Sequence, residues 1–194
     1  MDWDQRYAAE GLLWTEQPNR FLVSEVGELA PGAALDVACG EGRNAIWLAT
    51  KGWRVTAVDS SAVGIQKGTE LAQEAGLEID WLVEDATTYQ PEPAFDLVAV
   101  FYLHLPHDQL RSALANACWG LAVGGTLLVV GHHADNIEKG IGGPQLPELL
   151  YRPSDITDMI GDLEIEKAEA VGRPVDRSGV TGIAIDTLVR ARRA

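Results

Sequence analysis

Residues 33–44 read Ala-Ala-Leu-Asp-Val-Ala-Cys-Gly-Glu-Gly-Arg-Asn. A short apolar strand, interrupted by Asp36, runs into a turn holding Gly40 and Gly42, and helix-forming sequence follows at once. A second strand-like run, 54–59, ends on Asp59. Together these outline a βαβ nucleotide site. The glycines admit the backbone of the turn close to a ligand, and a carboxylate after the second strand can accept from ribose hydroxyls. Asp36 narrows the choice of ligand. A carboxylate inside the first strand suits a ligand with a positive group better than a bare pyrophosphate.

The alternation of strand and helix signals continues outward from this stretch. Strands are expected at 34–38, 54–58, 79–83, 95–101 and 126–130, and helices at 44–51, from Ser60 or Ser61 to 75, and at 108–119. Leu97-Val98-Ala99-Val100 is a continuous apolar run, as a strand covered on both faces requires. In the last helix Leu110, Ala113, Leu114 and Ala117 recur at i, i+3, i+4 and i+7. A helix at 154–160 precedes two strands, 165–171 and 183–189, with no helix between them, which predicts an antiparallel pair joined by a long loop. The whole pattern is that of an α/β fold, a three-layer, doubly wound, seven-stranded and mostly parallel sheet with helices on both sides. Residues 1–32, with a helix at 18–29, read as a helical cap on a core of 33–194 within a single domain. The 132–153 stretch is long for a connection and rich in Gly and Pro, a mark of functional loops.

Composition bounds the function. A 194-residue chain that is 46% hydrophobic is long enough to bury a real core. A formal charge of −14 argues against nucleic acid as partner. Arg190, Arg192 and Arg193 near the end of the chain read as a solvated terminus. No apolar run approaches the ~18 residues of a membrane span. The acidic start, Met-Asp-Trp-Asp-Gln-Arg, lacks an apolar signal core, so a cytoplasmic location is expected. Cys39 and Cys118 read as packed thiols, and no spacing of ligands predicts a metal site. The oligomeric state is not legible.

With these residues in view, 35–44 (Leu-Asp-Val-Ala-Cys-Gly-Glu-Gly-Arg-Asn) resembles the first motif of class I S-adenosylmethionine-dependent methyltransferases. Val58-Asp59 and Glu84-Asp85-Ala86 resemble the second and third. Trp3-Asp-Gln-Arg-Tyr7, then Gln17-Pro-Asn-Arg-Phe21 and the Gly-Arg-Asn of the glycine turn, are similar to the branch that holds tellurite-resistance and thiopurine methyltransferases. The resemblance is specific up to about residue 108. It implies a Rossmann-like methyltransferase fold with the last strand antiparallel. It also implies S-adenosylmethionine as cofactor, S-adenosylhomocysteine as product, and a small-molecule methyl acceptor such as a thiol or a selenium or tellurium oxyanion. The implied cofactor set is Asp36, Ala38, Gly40, Gly42, Arg43, Asn44, Asp59, Ser60, Asp85, Ala86, Phe101 and Tyr102. Asp36 would lie near the cofactor's amino group, Asp59 would accept from both ribose hydroxyls, and Asp85 from the adenine amine, with Ala86 supplying a backbone donor. Alanine at 38 departs from the glycine usual in the family, and is expected to cost little provided its φ is negative.

Two rival readings remain. Gly40 to Ala45 also matches the G-x-G-x-x-A of an NAD site. Against NAD stand Asp36, the Glu84-Asp85 pair, and the lack of a second domain for a hydride acceptor. The other rival is a cofactor-binding protein without catalysis. For an enzyme, the acceptor would sit beyond the carboxyl ends of the parallel strands. His104, His107, His132, His133, Tyr151, Arg173 and Arg177 are brought there by three segments, 101–108, 131–153 and 172–182. A hard nucleophile would want a general base, with His104 or His133 as candidates; of the adjacent pair His132 and His133 only one can face the pocket. Arg173 and Arg177 would hold an anionic acceptor. Tyr7 and Trp14, with Trp3, either close over the sulfonium or pin the N-terminal segment to the body.

Overall fold

The strands are β1 (Ala33–Val37), β2 (Arg54–Asp59), β3 (Asp80–Val83), β4 (Phe95–Phe101), β5 (Leu121–His132), β6 (Glu164–Arg177) and β7 (Val180–Arg192). In the computed structural model, which describes residues 2–9, 11–177 and 179–194, they form one sheet in the order β3-β2-β1-β4-β5-β7-β6. β1 to β5 run parallel, and β7 enters antiparallel between β5 and β6. The helices are α1 (Trp3–Tyr7), α2 (Arg20–Val26), α3 (Arg43–Thr50), α4 (Ala62–Glu74), α5 (His107–Trp119), α6 (Asn136–Lys139) and α7 (Pro153–Thr157). None is long and apolar enough to cross a membrane.

Strand alternation makes the three layers. Leu127 and Val129 of β5 point to one face and pack with Leu110 and Leu114 of α5 and Ile156 of α7. Leu128 and Val130 point to the other, against Phe21 and Leu22 of α2 and Leu48 of α3. Asp36 shares the second face with Ala34, and Asp186 shares it with Leu188. Each helix on that face starts at a side chain or turn placed for it. Asn19 accepts from Phe21 N at 2.9 Å to begin α2, and the glycine turn leads into α3. For α4 the capping residue is Ser61, whose hydroxyl accepts from Gly64 N at 3.0 Å.

The structure corrects the sequence reading in three places. The segment 172–182 is not a loop: β6 runs to Arg177 and β7 begins at Val180, so the hairpin is tight and Arg173 stands in a strand opposite Ala184. Polar and glycine-rich sequence concealed this strand, because the end of the hairpin projects from the core and needs no apolar alternation. β6 is an edge strand, which is why Pro174 is tolerated there. β5 likewise extends well past 126–130 in both directions.

The third correction concerns Ala38, whose φ is +58°. The chain must turn sharply there so that Gly40 N can donate to Asp59 Oδ2 at 2.8 Å. A left-handed conformation costs a non-glycine residue about 1–2 kcal/mol, partly offset by the larger unfolded-state entropy of glycine. Ala38→Gly should therefore raise stability by up to about 1 kcal/mol. A urea titration would show the midpoint move upward; a downward shift would mean the alanine methyl makes contacts worth more than the strain.

Candidate active site

The glycine turn sits where β1 gives way to α3. Gly40 and Gly42 have φ of +58° and +79°, and both are closely approached by rings. A Cβ at Gly40 would stand 2.6 Å from the Tyr7 hydroxyl, and one at Gly42 would stand 2.3 Å from Trp81 Cη2. Neither ring can yield readily, so glycine is required on steric as well as conformational grounds.

Two carboxylates flank the turn. Asp59 closes β2 and is buried; its Oδ2 accepts from Gly40 N and its Oδ1 from Ser61 N, both at 2.8 Å. Burial pushes its pKa up, against the pull of those two N–H groups. Asp36 is 1% exposed, and neither of its oxygens has an aligned hydrogen-bond donor. Burial raises its pKa to about 7, although the Ala45 N–H and the Arg43 guanidinium favour the charged form. Arg43, the first residue of α3, is itself desolvated and lies in the field of Tyr102 and Asp36. A lone buried acid beside a desolvated guanidinium is costly unless a ligand of complementary charge joins them.

The remaining residues expected around a cofactor lie along the same edge. Asn44 Oδ1 accepts from Asn19 N at 2.9 Å. Ser60 is exposed next to buried Ser61. Asp85 is exposed just past β3, where its Oδ1 accepts from Thr87 N and Oγ1, and the carbonyl of Ala86 accepts from Asn116 Nδ2. Phe101 is buried at the end of β4, and Tyr102 follows with a φ of +54°.

The N-terminal segment is fastened over this turn. Tyr7 is buried against Gly40 and Gly64, and Trp3 stacks on it at 5.7 Å. Arg6 lies over the rings of Trp3 and Trp14, at 4.6 and 6.0 Å. Glu41, within the turn and almost fully buried, accepts from Leu13 N at 2.9 Å and lies 3.4 Å from Lys67 Nζ. Lys67 in turn donates to the carbonyls of Ala9 and Gly11. Pinning is thus a geometric fact, and it places the segment directly over the glycine turn. Charge-assisted bonds of this kind contribute about 1.5–3 kcal/mol each. Glu41→Ala should free residues 2–16, increasing their cleavage in limited proteolysis by about tenfold, the equivalent of 1.4 kcal/mol. Unchanged cleavage would mean that Tyr7, Asp4 and Lys67 hold the segment without it.

A second cluster lies beyond the carboxyl ends of β4 and β5. At its centre is Asp186 of β7, with no exposed surface. Its Oδ2 accepts from Tyr102 Oη at 2.8 Å and from Arg173 Nε at 2.6 Å. Its Oδ1 lies 3.0 Å from His132 Nδ1, yet the approach is out of line, so neither atom gains a fully formed hydrogen bond. Burial would raise the pKa of Asp186, but His132 and Arg173 hold it below the ordinary carboxylate value. His104 stacks on His132 with centroids 5.2 Å apart and planes within 6°. Burial, then the neighbouring His132, lowers the His104 pKa to about 3, and its Nε2 is buried without a partner.

Alternation settles which of the adjacent histidines joins this cluster. His132 shares the face of Leu128 and Val130. His133 turns the other way, bridging to Tyr151 and accepting from Asp135 N at its Nδ1. His107 is apart from both, with Nε2 3.0 Å from the Leu150 carbonyl. Arg173 is in the cluster through its bond to Asp186 and its position 5.6 Å from the Tyr102 ring. The side chain of Arg177 lies outside the described residues.

Sequence reasoning missed Asp186, Asn19 and Glu41. For Asp186 a signal existed, the same one that exposed Asp36: a carboxylate inside an otherwise apolar strand, Ile183-Ala-Ile-Asp-Thr-Leu-Val. Asn19 joins the two clusters. Its backbone N–H donates to Asn44, and its side chain donates to Tyr102 Oη at 3.4 Å.

Comparison with known proteins places the chain among methyltransferases. Residues 34–125 match the model of a methyltransferase domain family. The chain is 27% identical over 168 residues to a ubiquinone biosynthesis O-methyltransferase of Rickettsia felis, covering 80% of this chain and 69% of that protein. Over 104 residues it is 27% identical to the probable S-adenosyl-L-methionine-dependent methyltransferase TehB of Haemophilus influenzae, covering 53% of this chain but only 36% of the relative. The crystal structure of TehB from Haemophilus influenzae superposes with a TM-score of 0.76 at 18% identity, over 99% of this chain and 66% of that one.

Proposed function

We propose that this class I S-adenosylmethionine-dependent methyltransferase, which resembles the tellurite-resistance branch of its class, passes the sulfonium methyl to a small-molecule acceptor beyond the ends of β4 and β5. The observation that carries the reading is Asp36, a buried carboxylate whose oxygens lack an aligned hydrogen-bond donor, at the edge of a glycine turn with Arg43 beside it. The amino-acid tail of S-adenosylmethionine bears an ammonium and a carboxylate, complementary to that pair. Asp59 keeps free lone pairs for ribose hydroxyls, and Asp85 an unused oxygen for the adenine amine. The cofactor supplies a methyl already activated by positive sulfur. The protein's part is to orient the acceptor and exclude water. Tyr7 and the pinned segment serve the second task.

The resemblance to the tellurite-resistance branch points to a soft acceptor, such as a thiol or a selenium or tellurium oxyanion, which needs no base. The side chains beyond β4 and β5 favour a harder one, as argued below. Arg173 holds Asp186 through Nε at 2.6 Å, so its Nη groups are the ones that would meet an oxyanion.

Isothermal titration with S-adenosylmethionine, S-adenosylhomocysteine and NAD tests the cofactor assignment. The first two should bind, with Asp36→Ala weakening both by about tenfold or more, the worth of one charge-assisted contact. Binding of NAD alone would overturn it.

A further inference from the structure

We propose that Asp186 and His132 form a proton-accepting pair, and that the acceptor methylated here is a weakly acidic hydroxyl of the phenol or enol class. The inference rests on the methyltransferase reading above and specifies the acceptor chemistry at that same site.

The argument starts from which nitrogen of His132 is available. Nδ1 is buried 3.0 Å from the Asp186 carboxylate, and although the contact is out of line, the negative charge there favours the tautomer of a neutral imidazole with its proton on Nδ1. That leaves Nε2 as the lone-pair nitrogen. The exposure retained by this side chain, 11%, therefore falls on the rest of the ring. The 132–153 segment passes over the Cδ2–Nε2 side as bare backbone: a Cβ at Gly143 would come within 2.9 Å of Cδ2, Nε2 and Cγ. A glycine with φ of +75° at that spot brings no Cβ against the nitrogen.

The groups around the imidazole favour a base over an anion grip. Asp186 faces it from β7, Arg173 from β6 through Asp186, and Tyr102 and His104 from the end of β4. Arg173 and Tyr102 occupy Oδ2, leaving Oδ1 to stabilise the imidazolium. His104 is stacked face to face with His132 and held neutral, so it sets no competing charge beside the imidazolium. A thiolate or chalcogen oxyanion is already ionised and would gain nothing from this pair. An alkanol is too weakly acidic for imidazole to assist well. A phenol or enol hydroxyl lies between, where general-base catalysis is effective.

In the step, the acceptor O–H bond breaks and its proton passes to His132 Nε2. The oxygen lone pair forms the new O–CH3 bond as the C–S bond breaks, and that electron pair returns to sulfur, leaving a neutral thioether. The positive charge lost from sulfur ends on the imidazolium opposite Asp186.

Phenol and thiophenol, alike in shape, separate the two chemistries. With S-adenosylmethionine binding confirmed by titration in every variant, wild-type protein should methylate phenol. His132→Gln should reduce that rate by about 100-fold, the usual scale of base removal, while thiophenol turnover stays within about threefold. Asp186→Asn, nearly isosteric, should lose phenol turnover while a thermal melt verifies folding. Independently of turnover, nitrogen-15 NMR of the S-adenosylhomocysteine complex should show His132 as the Nδ1–H tautomer, and Asp186→Asn should abolish that bias. Methylation of thiophenol or tellurite but not phenol overturns the proposal, as does no turnover on phenol at all with cofactor bound. An Nε2–H tautomer in the wild type also overturns it. Failure to bind S-adenosylmethionine would instead refute the methyltransferase reading.

Discussion

Asp59→Ala should weaken S-adenosylmethionine binding by about 100-fold or more while leaving the protein folded. Each carboxylate oxygen already accepts one backbone N–H, from Gly40 and from Ser61. A carboxylate oxygen can accept more than one hydrogen bond, so each retains capacity for one hydroxyl of a ribose. Losing two charge-assisted bonds of about 1.5–3 kcal/mol each would exceed the 2.7 kcal/mol that corresponds to 100-fold. The same change also unties the glycine turn from β2, so part of the loss would be preorganisation rather than direct contact. Asp59→Asn separates the two: its amide must aim an N–H at either Gly40 or Ser61, repelling a donor that the carboxylate accepted. Titration calorimetry should give similar losses for both variants if anchoring dominates, and a smaller loss for asparagine if ribose contact dominates. A change below about threefold in both would place the ribose elsewhere.

What could be read from the sequence divides along physical lines. β1, β2 and β4 were legible because they are buried on both faces, so their apolar runs cannot be mistaken, and the turn residues between them have fixed conformational requirements. The Ser60-Ser61 pair, of which Ser61 is the cap, and Gly76 bounded α4 for the same reason: a cap and a left-handed stop are local demands. The β6–β7 hairpin was not legible at its far end, because strands that leave the core are held by backbone pairing, to which side chains contribute little pattern. Ala38 shows the opposite limit. Its positive φ follows from the need to bring Gly40 N to Asp59, a tertiary demand that no local propensity reveals. The acceptor cluster was only half visible. His104, His132 and Arg173 stood out as residue types, but what joins them is Asp186, which meets Arg173 across the hairpin and His132 and Tyr102 across long sequence separations. A carboxylate amid Ile, Ala, Leu and Val is the mark that Asp36 and Asp186 share, and reading it consistently would have found both.

The other large effect concerns Asp36 and pH. Its folded-state pKa, about 7, lies above the ordinary 3.8, chiefly because burial disfavours the anion. Between those two values the unfolded chain has released this proton while the folded protein retains it. The unfolded state then binds fewer protons, so the contribution of Asp36 to stability falls as pH rises through that window. Roughly three pH units at about 1.36 kcal/mol each give a penalty of about 4 kcal/mol, complete above pH 7 and absent below about pH 4. Other carboxylates pull the opposite way: Asp135, held by Lys139 and Arg152, has its pKa lowered to about 2 and stabilises as pH rises. The test is therefore a difference. Asp36→Asn removes the titration and should be more stable than wild type by several kcal/mol at pH 8, with the gap closing toward pH 4 in urea denaturation. A ligand ammonium reverses the logic, since it favours the charged carboxylate. S-adenosylmethionine should accordingly bind wild type more tightly as pH rises through 7, with release of a proton detectable as a buffer-dependent heat. Asp36→Asn should lose both the pH dependence and the proton release. Equal stability of the two proteins at pH 8, together with a buffer-independent heat in wild type, would show that Asp36 is ionised in the free protein and that its partner is internal.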